Sequence, residues 1–170
     1  MHSPLLPQLR FLRATFTVGL LTCSFLLGAC SDVRGELPEK VEVTEVIASS
    51  STGVFMEGCA TVVYRLDPAT ADTLMQQGAG FFRDIEPPRN ENPRNPYSEW
   101  METPLPDARL NHIHAVRAIG GCEGDGGDFR AREIELALRA PGSFYALTRN
   151  KEGMILVVPR SRLAAFLYVG

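Results

Sequence analysis

The sequence lacks the short motifs that announce a reaction. It has no glycine-rich P-loop ending in Lys-Ser/Thr to cradle a phosphate, and no dinucleotide fingerprint. Ser143, in Ala140-Pro141-Gly142-Ser143-Phe144, misses the second glycine of a nucleophile elbow, so nucleophilic catalysis has no support. Histidine is scarce, at three residues in 170, and tryptophan occurs once, which leaves little material for a metal cluster or an aromatic ladder. No internal repeat is visible, which excludes solenoids and propellers. The one long apolar run, the uncharged stretch from Ala14 to Ala29, falls short of the roughly 20 residues that a membrane-spanning helix needs.

That run is instead the length of a signal-peptide core, and Arg10 and Arg13 supply the basic region before it. It ends in Leu27-Gly28-Ala29-Cys30, with small residues at the cut and a cysteine directly after it. These four residues resemble the lipobox of bacterial lipoproteins, and the resemblance covers residues 1–30 only. It implies that residues 1–29 are removed and that the Cys30 thiol receives a diacylglyceryl group. It also implies that acyl chains, palmitate among them, hold the protein in the membrane, since two or more chains anchor durably where one binds marginally. Ser31 after the cysteine, where the sorting rule would be broken by Asp, implies the outer membrane with the domain facing the periplasm. Plain secretion and an uncleaved anchor helix are the other readings of this segment.

Without residues 1–29 the chain keeps 15 basic against 20 acidic side chains, a net of −5, which is not the balance of a nucleic-acid binder. The charge is uneven: residues 30–128 carry −9 and residues 129–170 carry +4. The two ends attract each other within one domain, or one of them is a partner surface. Cys23 leaves with the leader and Cys30 is lipidated, so Cys59 and Cys122 remain as an even pair in an oxidising compartment. A Cys59–Cys122 disulfide is expected, with two free thiols or a metal pair as the alternatives.

The mature chain is one domain's worth of residues. Residues 30–53 read as a lipidated N-terminus and flexible tether, with an edge strand at 41–47 and a Ser-rich spacer from Ala48 to Gly53. The globular domain is expected over 54–170. Val54 to Leu66 is rich in β-branched and aromatic residues and predicts a central strand. Asp67-Pro68 opens a helix that closes near Gly78. Six prolines between residues 86 and 107 predict a long loop without regular structure. Residues 107–119 suit a short helix or a strand equally. From Phe129 the alternation of Ile134, Leu136 and Leu138 with Glu133, Glu135 and Arg139 reads as a strand. Strands follow at 144–149 and 154–158, and residues 163–169 fit a strand better than a helix. The expected fold is a small single α+β domain, an antiparallel sheet with one or two helices.

Three features invite a chemical reading. Tyr97 and Trp100 lie in the Pro/Asn loop, either packed on the domain's own core or serving as contacts of a binding loop. His112 and His114 would share a face on a strand but diverge on a helix, and only Asp107 is near enough in sequence to join them around a metal. Glu123, Asp125 and Asp128 sit in a five-glycine loop that lacks the ordered spacing of an EF-hand, so a plain turn competes with calcium there. No cofactor is expected. The leading expectation is an envelope lipoprotein with a non-catalytic binding or structural role, its partners the membrane, through the anchor, and another envelope component. A periplasmic inhibitor or immunity-type lipoprotein is the alternative, and a metal-dependent enzyme built on His112 and His114 the second.

Overall fold

The computed structural model describes residues 36–54, 57–85, 97–106, 116, 118, 119 and 129–170. All of them belong to the compact unit Val33–Gly170. The unit is a single α+β domain: one antiparallel sheet of six strands and two α-helices among the described residues. In chain order these are β1 (Val43–Val54), β2 (Glu57–Leu66), α1 (Pro68–Gln77), β3 (Met101–Glu102), α2 (Phe129–Arg139), β4 (Phe144–Leu147), β5 (Gly153–Val158) and β6 (Leu163–Val169). The strands lie in the order β1-β2-β6-β5-β4-β3.

β5 explains the layering. All six of its residues are buried, so it reads as a continuous apolar run rather than an alternating one, as a strand covered on both faces must. Successive side chains of a strand point to opposite faces. Met154, Leu156 and Val158 join the cluster that holds Ile134, Ala137 and Leu138 of α2. Ile155 and Val157 join the opposite cluster, with Ala71 and Leu74 of α1 and Phe81 and Phe82 just beyond it.

α1 starts and stops as its sequence dictates. The Asp67 carboxylate accepts from the Thr70 N–H at 3.0 Å, and Pro68 occupies the first turn, where its missing N–H costs nothing. Gly78 ends the helix with φ at +56°, a left-handed conformation that disfavours other residues. A 3-10 turn, Gly78–Phe82, then turns Phe81 and Phe82 into the core.

Four expectations are corrected. The segment from Phe129 is a helix, not a strand: Ile134, Ala137 and Leu138 are buried at helical spacing while Leu136 is exposed. Its alternation was only a few residues long, and Ala, Arg, Glu and Leu favour the helix. Glu135 and Arg139 add an ion pair four residues apart, at 3.2 Å.

The second correction is the tether. β1 runs through the Ser-rich stretch to Val54, paired with β2 from Val43↔Leu66 to Val54↔Glu57. An edge strand draws its order from its partner's backbone, so its own composition conceals it. Leu37 and Val41 are also buried, which carries the folded domain well ahead of residue 54. In turn, β2 begins at Glu57 rather than Val54.

Third, the proline-rich loop is not irregular throughout. Between Pro96 and Pro104 the backbone keeps its N–H groups, and Met101–Glu102 pairs with Tyr145 and Phe144 as β3. Fourth, the strand expected at 144–149 ends at Leu147, with Thr148 forming a single bridge to Tyr97. Residues 163–169 are strand β6, as expected.

Candidate binding pocket

Tyr97 and Trp100 come from the loop onto the α1 side of the sheet. The backbone fixes them there. Tyr97 bridges Thr148, the Ser98 N–H donates to the Leu147 carbonyl at 2.6 Å, and the Leu147 N–H donates back to Ser98 Oγ at 3.1 Å. The segment thus extends the β3 edge of the sheet along β4. Trp100 stacks on Phe82 with ring centroids 4.1 Å apart, and Phe82 meets Phe144 at 5.2 Å and Phe81 edge-on at 5.1 Å. Such pairs add about 0.5–1.5 kcal/mol beyond the area they bury.

The Tyr97 hydroxyl donates to Glu36 Oε2 at 3.4 Å, which joins the loop to the first described residue of the domain. Burial, and after it the Glu36 carboxylate, hold the phenol far above its ordinary pKa, because both disfavour a phenolate. Nearby, Lys40 donates from Nζ to the Phe81 carbonyl at 3.0 Å and lies 4.6 Å from the Phe81 ring centroid. The chain from Glu36 to Val41 is therefore fastened to the same side as Trp100.

A pocket of about 470 Å³ opens among these groups. Ala146 and Ile155 border it from the sheet, but both are buried, at 1% and 0% exposure, and offer it almost no surface. Phe82 and Ile85 line it beyond α1, and Tyr97 and Trp100 line it from the loop. Pro38 adds an apolar edge, and the exposed Arg83 and Glu99 put one charge of each sign at the mouth. The volume lies within the ~300–1,000 Å³ of small-molecule sites, and polar and apolar groups share its lining about equally.

The sequence-derived candidates separate cleanly. Tyr97 and Trp100 share the pocket. Cys59, on β2, is disulfide-bonded, whereas Cys122, its expected partner, lies outside the described residues. So do Cys30, His112, His114, Glu123, Asp125 and Asp128. Among the described residues, no group of three His, Cys, Asp or Glu side chains is placed to hold a metal ion, and no helix is long and apolar enough to cross a membrane. Phe82, Ile85, Pro38, Ala146 and Ile155 were not singled out from the sequence. They look like ordinary core residues there, and only the fold brings them under Trp100.

Comparison of the chain with protein-family models, with curated proteins and with solved structures finds no match.

Proposed function

We propose that this is a lipid-anchored protein of the bacterial envelope with a non-catalytic binding role, exercised through the pocket beneath Trp100. One observation carries the binding part: Tyr97 and Trp100, from a proline-rich segment, line a pocket of about 470 Å³ together with Phe82, Arg83, Ser98 and Glu99. Proline in the loop lowers the ordering cost of presenting those rings. The envelope part rests on the lipobox resemblance ending at Cys30.

The two parts are tested on one preparation. Mass spectrometry of the mature chain reads the anchor: an unmodified Cys30 or an intact leader overturns it, and Cys30→Ser is expected to leave an unprocessed, unlipidated precursor. A photo-crosslinker placed at the exposed Glu99, on the pocket lining, reads the site in native membranes. Adducts that weaken in Ala79→Phe, which narrows the pocket from an exposed position, are expected; adducts unchanged by that substitution would move the binding site elsewhere.

A further inference from the structure

We propose that the outer edge of β1 pairs antiparallel with β1 of a second copy of this chain, so that two sheets run into one.

The far side of β2 shows which backbone groups β1 leaves over. Gly58 exchanges both backbone hydrogen bonds with Gly170, at 2.7 and 2.9 Å, and the Leu66 N–H donates to the Arg162 carbonyl at 2.9 Å. The register between β2 and β6 is unbroken, so alternate residues from Gly58 to Leu66 turn their backbone polar groups toward β6. The residues between them, Cys59, Thr61 and Val63, turn theirs toward β1, opposite Thr52, Ser50 and Ala48. Ser49, Ser51 and Gly53 consequently point their N–H and C=O groups out of the sheet, and no strand lies beyond β1 among the described residues. Such a row of donors and acceptors is a template for another extended backbone.

The two edges of the sheet are built differently. β3 is two residues long, lies between Pro96 and Pro104 in the sequence and carries the exposed Glu102, all of which obstruct a further strand. In β1, register shifts between Val43 and Glu45 and between Val46 and Ala48 break up only the first part. From Val46 to Val54 there is no proline and no charge.

That neutral stretch argues for a second copy as the occupant. Turned about a two-fold axis at Ser50, residues 46–54 lie on themselves: Ser49 faces Ser51, Ala48 faces Thr52, and no like charges meet. In that register Ser49 and Ser51 exchange backbone bonds, because both point outward. Both residues are exposed, and their side chains share a face, where serines hydrogen-bond across strands. A charged peptide would find no counter-charge along this stretch. Because the β3 edge is obstructed, pairing closes at two chains rather than growing into a fibre.

Sedimentation of the full chain over a concentration series, in density-matched detergent, reads the mass of the protein alone. A reversible monomer–dimer equilibrium is expected. Ser51→Pro removes an outward N–H and no bond to β2, so it should keep the fold and weaken the dimer at least about tenfold. Should that variant misfold, Ser49→Lys sets like charges across the two-fold from an exposed position and should weaken the dimer comparably. Mixing Ser49→Lys with Ser49→Glu chains should then restore a mixed dimer. In the unaltered chain, amide exchange at Ser49, Ser51 and Gly53 should slow as concentration rises, while exchange at Ser50 and Thr52 stays constant. A single monomeric mass throughout the series, or a dimer untouched by both substitutions, overturns the proposal.

Discussion

Trp100 lies nearly flat on Phe82, the two planes inclined by 17° with centroids 4.1 Å apart. One ring comes from the loop and the other from the turn after α1, so the stack clamps two elements that share no backbone pairing. The same contact shapes the pocket wall and contributes to stability.

Trp100→Ala is therefore expected to lower stability and remove the wall together. A buried tryptophan truncation costs about 3–5 kcal/mol. Trp100 is only half-buried, so about 2 kcal/mol is expected from urea denaturation, with Trp100→Phe recovering most of it. An unchanged unfolding midpoint in Trp100→Ala would show that the stack does not hold the loop.

Tyr97 makes stability depend on alkaline pH. Its folded pKa is raised above the ordinary value of 10.0, so the native chain retains a proton that the unfolded chain releases. The contribution is complete below about pH 10 and declines above it by up to about 1.4 kcal/mol per pH unit. Tyr97→Phe should flatten that decline, as read from urea midpoints at roughly pH 9 and pH 11. Equal slopes in the two proteins would contradict the burial of the hydroxyl.

The disulfide at Cys59 joins β2, which has strands on both sides, to another part of the chain. Reduction should cost about 2–4 kcal/mol and lower Tm. Peptide mapping without reductant is expected to recover Cys59 linked to Cys122; any other partner would refute the pairing inferred from the cysteine count.

The turn before β5 permits no side chain at Gly153, where an added Cβ would come within 2.7 Å of Thr148 Cγ2. Gly153→Ala is expected to cost about 1–3 kcal/mol through overpacking. Thr148→Ser removes the offending methyl yet keeps the hydroxyl that accepts from the Gly153 N–H at 2.7 Å. The double variant should then be more stable than the sum of the two losses predicts.

Where the sequence carried a complete local signal, the fold followed it. Asp67, Pro68 and Gly78 define α1 by cap, first turn and left-handed stop, and β5 and β6 announce themselves by apolar content. Where order comes from a distant partner, the sequence was silent. Ser49, Ser50 and Ser51 are strand residues only because Val62, Thr61 and Ala60 lie opposite them. The stretch from Ile134 to Leu138 failed for a different reason: five residues satisfy both periods, and tertiary packing against Leu156 and Leu163 chooses the helix. Tyr97 and Trp100 were legible as candidates because aromatic residues are unexpected in a proline-rich loop. The rest of the pocket was not, since Phe82 and Ile155 are distant in sequence and only the fold brings them to one face of the sheet.

The position of β6 has a consequence for timing. It is the last strand in chain order, yet it sits between β2 and β5 and pairs with both, from Cys59↔Val169 to Arg65↔Leu163 on one side and from Gly153↔Tyr168 to Val158↔Leu163 on the other. Until residues 163–169 have emerged, the β1–β2 hairpin and the β4–β5 hairpin have no strand to join them. A chain that emerges from its N-terminus, as in synthesis, thus stays open until nearly all of it is free, and closes in one late step.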